Sequence, residues 1–140
     1  MAHNRWEHFP HDADIGIRGF GPCLAAAFEQ AALAMTAAIT DPQNVAPSHE
    51  VELTCEAPDS ELLLVDWLNA IVYEMATRKM LFGRFQVRIE DGLLYGKAWG
   101  EPIDVEKHKP IVEVKGATYT ELRATCQPNG VWLAQCIIDV

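Results

Sequence analysis

Residues 8–14 read His8-Phe9-Pro10-His11-Asp12-Ala13-Asp14, two histidines and two aspartates within seven positions. Directly after them Ile15, Ile17 and Gly19 alternate with Gly16, Arg18 and Phe20, the two-residue period of a strand. Carboxylates at the mouth of a strand are oxygen donors of the kind a hard cation takes. At the other end, Ile137-Ile138-Asp139-Val140 closes an apolar run with a further aspartate, and Val140 adds main-chain or terminal oxygens. Spacing alone does not say whether the two ends meet. Taken singly, Asp14 reads first as a cap or turn residue and Asp139 as a solvated one, with ligation the sharper alternative for both.

The histidines invite a zinc reading that the spacing weakens. Pro10 lies between His8 and His11, so a helix is disfavoured, and three residues apart on a strand they point to opposite faces. No cysteine stands near them, so surface or capping roles fit better than zinc. Lys115, in Val112-Glu113-Val114-Lys115-Gly116, reads either as a solvated strand residue or as a charge offered to a phosphate or a partner carboxylate, beside a glycine that permits close approach. No serine–histidine–acid set or phosphate-cradling loop is visible, and Gly16, Gly19 and Gly21 do not follow the dinucleotide-binding order.

A chain of 140 residues, 49% of them apolar, suits a single domain over residues 1–140 with a real core. Net charge is -9 and uneven: residues 1–61 carry two basic and ten acidic side chains, residues 62–140 nine and ten. Such acidity disfavours stable binding to a phosphate backbone and suits a cation or a basic protein partner, or simply keeps the domain soluble. Apolar runs such as Ala31–Met35 and Leu62–Val65 are too short to span a bilayer, and the first residues lack a secretory core, so a cytoplasmic location is expected. Cys23, Cys55, Cys126 and Cys136 form no C-x-x-C pair and are expected to be buried free thiols.

The elements that must position these residues follow from the pattern. Strands are expected at 5–9 and 14–20, joined through Pro10; Pro22 then opens a helix carrying Leu24, Phe28, Ala31, Met35 and Ile39, stopped at Thr40-Asp41-Pro42. A strand through Val51, Leu53 and Cys55 precedes a helix capped by Asp59-Ser60 and running to about Arg78. Its apolar residues leave only Asp66, Asn69 and Tyr73 as a polar stripe, which predicts the central core helix. Asp91-Gly92 turns a hairpin between Phe85–Ile89 and Leu93–Trp99, residues 102–110 are polar, and strands are expected at 111–116, 120–127 and 131–138. A two-residue turn at Asn129-Gly130 would set Cys126 opposite Leu133. The fold class is α+β: a mainly antiparallel sheet packed with two long helices.

Read in order, the chain resembles the archease family, small protein cofactors of RtcB-type RNA ligases. The resemblance rests on Trp6-Glu7-His8, His11 with Ala13-Asp14-Ile15-Gly16-Ile17, Phe28-Glu29 with Ala31-Ala32, Thr40-Asp41 and Leu64-Val65-Asp66-Trp67-Leu68-Asn69. It continues through Leu81-Phe82, Gly100-Glu101, His108, Glu113-Val114-Lys115-Gly116-Ala117-Thr118-Tyr119, Trp132 with Ala134, and Ile138-Asp139-Val140. The family's acid-His-Thr-Ala-Asp is here Pro10-His11-Asp12-Ala13-Asp14, so Pro10 replaces the acid and Asp12 the threonine.

The resemblance implies a non-enzymatic activator that promotes guanylylation of an RtcB-type ligase, sustains its turnover in tRNA splicing and RNA repair, and broadens its nucleotide use. It implies a divalent cation, calcium first and otherwise magnesium or manganese, at Asp14, Asp139 and Val140. His11 and Asp12 would stand just outside those ligands, and Lys115 would be the residue acting on the ligase. No stable nucleic-acid binding and no membrane contact are expected. A metal-dependent phosphoester hydrolase and a general chaperone-like binding module stand as alternatives.

Overall fold

The computed structural model describes residues 3–140. β1 (Arg5–His11) and β2 (Asp14–Gly21) form a hairpin, followed by α1 (Leu24–Ile39), a 3₁₀ turn (Pro42–Asn44), β3 (His49–Glu56) and α2 (Ser60–Arg78). Then come β4 (Met80–Glu90), β5 (Leu93–Pro102), a four-residue helix α3 (Val105–His108), β6 (Gly116–Ala117), β7 (Arg123–Cys126) and β8 (Trp132–Asp139). The expected α+β class holds, with the strands divided between two antiparallel sheets. In the first, β1, β2 and β8 lie side by side, and β6 and β7 share the far edge of β8; the second runs β3-β5-β4.

Both long helices contact strands of both sheets, and one apolar cluster draws on all of them, including Ile17, Phe28, Trp67, Phe82, Leu94 and Ile138. The more enclosed helix is α1, not α2: ten of its sixteen residues are buried, against six of nineteen in α2, whose last turns are exposed. Small side chains explain this. The alanines of α1 let its backbone press onto β2 so closely that a Cβ on Gly19 would lie 2.2 Å from the Ala27 carbonyl oxygen. The larger side chains of α2 stand it off, and Trp67 reaches across to donate its indole N–H to the Phe28 carbonyl at 3.2 Å.

Several local expectations meet the structure directly. Asp59 caps α2, its carboxylate accepting the Leu62 N–H at 2.8 Å. Asp91 and Gly92 take φ of 50° and 76°, the left-handed pair a two-residue hairpin turn needs. Others are corrected. Pro10 does not join two strands but lies within β1, opposite Ile15, which an edge strand tolerates because that position lacks a ladder partner on one side. Pro22 precedes the cap, Cys23, rather than opening the first turn. The polar stretch 102–110 contains α3, capped by Asp104. The expected strand at 111–116 shrinks to Gly116–Ala117 and that at 120–127 to Arg123–Cys126. Cys126 pairs with Trp132, not Leu133, because Gly130 N–H bonds the Gln127 carbonyl (2.9 Å) and makes the loop one residue longer. All four cysteines are free, as expected, but only Cys136 is buried; Cys23 and Cys126 are exposed. No helix among the described residues is long and apolar enough to cross a membrane.

Candidate metal centre

Strand register brings the two chain ends together. Ile15 and Ile138 are the last pair of the β2–β8 ladder, and continuing that register one residue beyond it puts Asp14 across from Asp139. On either side, His11 pairs with Asp14 and Gly116 with Asp139, giving a row His11–Asp14–Asp139–Gly116 across the end of the first sheet. Residues directly opposite share a face with Cβ atoms about 5 Å apart, and like charges placed so repel. That face is the one turned away from α1. Ile17, Cys136 and Ile138 point into the core, whereas the alternating set carries the polar contacts of Glu7, Arg18 and Gln135.

Those contacts keep the outer face occupied up to the row. Arg18 bonds Glu7 (2.8 Å) and Gln135 (2.7 Å) and lies 4.0 Å over the Phe9 ring. The guanidinium of Arg18, then that of Arg5, holds the Glu7 carboxyl below its ordinary range. The row itself has no such neutralisation: among the described residues neither Asp14 nor Asp139 makes an ion pair, nor does Lys115.

Val140 and Lys115 meet the same end through their backbones. The Val140 N–H donates to Asp14 Oδ1 at 3.4 Å, and Val140 packs against the core cluster. The Lys115 N–H donates to the Asp139 carbonyl at 2.8 Å. On the other side of that short strand, the Asn69 amide of α2 accepts the Ala117 N–H (2.8 Å) and donates to the Ala117 carbonyl (3.4 Å). Asn69 entered the sequence reading as part of a polar stripe and of the Leu64–Asn69 motif, with no role assigned to it; an amide set among Trp67, Leu68, Ala70 and Ile71 was the signal of its contact.

The neighbours of the row behave differently from it. His8 lies on the opposite face from His11, as the spacing predicts, with Nε2 bonded to the Ala34 carbonyl at 2.7 Å. His11 Nδ1 is buried without a hydrogen-bond partner. Asp12 is exposed in the hairpin turn at φ 51°, a conformation aspartate tolerates better than β-branched threonine. Pro10, by strand alternation, lies on the helix-facing side with His8, so an acid there would not join the Asp14 row. Among the described residues no three His, Cys, Asp or Glu side chains gather closely enough to hold a metal ion. A cation at this end would therefore take two carboxylates and main-chain oxygen from the protein and its remaining ligands from water or a partner. The all-oxygen donor set fits calcium, magnesium or manganese better than zinc.

Two other quoted residues, the buried His108 and the half-buried Glu101, form a structural network instead. His108, 3% exposed, accepts the Asp104 N–H at Nδ1 (2.9 Å), so Nε2 carries the proton and donates to Glu101 Oε2 at 2.9 Å. The same oxygen accepts the Ala46 N–H and Lys107 Nζ. These bonds, the Ala46 N–H first, hold the Glu101 carboxyl down at about 2. Thiol chemistry is also unfavoured inside: burial pushes Cys136 up to about 12, and burial with the Asp66 charge pushes Cys55 up to about 11.

Comparison with known proteins decides the family. The profile of the Archease protein family (MTH1598/TM1083) matches residues 6–140. The chain belongs to the archease family. Protein archease of Pyrococcus furiosus is 41% identical over 140 residues, which cover 97% of this chain and 99% of that protein. Protein archease of Sulfolobus acidocaldarius is 37% identical over 138 residues, with the same coverage of both. Among solved structures, the solution structure of protein 1598 of Methanobacterium thermoautotrophicum superposes with a TM-score of 0.79 at 35% identity, covering 96% of this chain and 98% of that one.

Proposed function

We propose that this archease is a non-catalytic activator of an RtcB-type RNA ligase, promoting its guanylylation and turnover in tRNA splicing or RNA repair and widening its nucleotide use. The observation that carries the reading is the convergence of Asp14, Asp139, Val140 and Lys115 at one sheet end, with no ion pair among the described residues to quench the charges. Asp14 and Asp139 hold a divalent cation, calcium first, with a main-chain oxygen of Val140; His11 and Asp12 lie outside this set. Bound there, the cation supplies positive charge that neutralises phosphate oxygens. Lys115 offers a compact ammonium to a phosphate or a carboxylate of the ligase. The acidic surface keeps the protein off RNA itself and directs it to a protein partner. The protein acts in the cytoplasm.

A non-catalytic role is supported by what the perturbed groups do. The buried Cys136 thiol and the half-buried Cys55 thiol are held protonated, and the one carboxylate held far below its ordinary range is tied into the Ala46–Lys107–His108 network. The test is ligation by a cognate RtcB-type enzyme with this protein added at substoichiometric amounts, alongside this protein alone with GTP and RNA. Multiple turnovers in the first and neither a nucleotide adduct nor joined RNA in the second are expected. Phosphoester hydrolysis by the protein alone would make it an enzyme. Unchanged ligation together with rescue of unrelated aggregating proteins would make it a general binding module.

A further inference from the structure

Lys115 sits on a strand too short to hold itself. β6 is two residues long, residues 111–115 before it have no regular structure, and 118–122 turn irregularly before β7, touching β8 through the Ile137 N–H to the Thr120 carbonyl (3.2 Å) and the Gln135 amide to the Glu121 carbonyl (2.9 Å). On its β8 side the segment is fixed by Lys115 N–H to the Asp139 carbonyl and Thr118 N–H to the Ile137 carbonyl. Among the described residues no strand lies on its other side. There the Ala117 N–H and C=O face α2, and the Asn69 side-chain amide meets both, at 2.8 and 3.4 Å.

An amide side chain presents one acceptor and one donor as a peptide group does, so Asn69 replaces the missing neighbouring strand. The approach is close: a Cβ on Gly116 would lie 3.2 Å from Asn69 Oδ1. The rest of the polar stripe does not share this task, Asp66 and Tyr73 being exposed. We propose that Asn69 is the positioning residue for Lys115, clamping β6 between α2 and β8 so that the lysine is presented at a fixed place beside the Asp14–Asp139 pair. The inference rests on the reading of Lys115 as the residue that acts on the ligase.

A double-mutant cycle on ligase guanylylation tests it, with Asn69→Ala, Lys115→Ala and both together. Asn69→Ala is expected to lower activation on the order of tenfold, less than the ~100-fold that a 1 Å misplacement can cost. In the Lys115→Ala background it should lower activation no further. Amide exchange at Ala117 should quicken while that at Ile17 in β2 stays unchanged, and the calcium-induced rise in melting temperature should persist. Asn69→Asp keeps the acceptor for the Ala117 N–H and should recover part of the activation; it also serves if Asn69→Ala does not fold. Full activation by Asn69→Ala where Lys115→Ala activates poorly overturns the inference, as does an additive loss in the double variant. Full activation by Lys115→Ala overturns the reading of the lysine beneath it.

Discussion

Replacing Asp14 or Asp139 by asparagine removes one of two facing charges while keeping the side chain's shape. The Asp14→Asn variant would also keep a side-chain oxygen for the Val140 N–H that Asp14 Oδ1 accepts at 3.4 Å. Two unit charges about 5 Å apart in a water-like medium repel by about 0.8 kcal/mol, and screening with a Debye length of ~8 Å leaves about half of that at physiological salt. Without divalent cations each variant should therefore be more stable than the parent by ~0.4–0.8 kcal/mol, about 1–3 °C in melting temperature for a chain of this size. With cation the order reverses. A parent that binds calcium gains ~2.7 kcal/mol at a hundredfold excess over its dissociation constant, whereas a variant with one carboxylate gains little. The assay is thermal unfolding of parent, Asp14→Asn, Asp139→Asn and Asp12→Asn, in chelator and across a calcium titration, repeated with magnesium and manganese. The Asp12→Asn protein, altered at an exposed turn residue outside the row, should behave as the parent. A parent whose melting point ignores all three cations, or asparagine variants of the row that keep the full cation shift, would refute the reasoning.

Three further outcomes follow from the geometry. Glu101 is held at about 2 in the folded protein against 4.5 ordinarily, so its contribution to stability is full above pH 4.5 and is lost as pH falls toward 2. Glu101→Gln should thus be less stable than the parent in urea at pH 7, with the gap closing across that window; a constant gap would contradict the assignment. His108→Ala, which empties a buried site and leaves the Asp104 N–H without its acceptor, should cost roughly 2–4 kcal/mol in the same assay; a cost near zero would show the network to be incidental. Cys23 and Cys126 should react readily with a thiol reagent in the native state at pH 8, and Cys55 and Cys136 only on unfolding; rapid reaction of four thiols would contradict the burial.

The parts of this fold legible in the sequence are those that neighbouring residues decide. The Asp59 cap and the Asp91-Gly92 turn are local chemistry, and both stand where the pattern puts them. The alternation that places Ile17 inward and Arg18 outward is likewise local. What could not be read was set by distant partners. Counting apolar residues favoured α2 as the central helix, but the alanines of α1 allow the closer approach. Residues 111–122 alternate like a strand, yet their backbone is held by Asn69, Asp139 and Ile137 rather than by a long ladder. The candidate site shows the same division. Asp14 and Asp139 are recognisable as oxygen donors at strand ends, but their opposition depends on the β2–β8 register between residues more than a hundred positions apart.

Guanylylation of the ligase bears most directly on the central claim. Labelled GTP, a cognate RtcB-type enzyme and catalytic amounts of archease would be combined over a calcium titration, using the parent, Asp14→Asn, Asp139→Asn and Lys115→Ala. Rapid labelling of the ligase with the parent, and loss of that acceleration in each variant although all remain folded, is the predicted result. Equal acceleration by parent and carboxylate variants at every calcium concentration would contradict it.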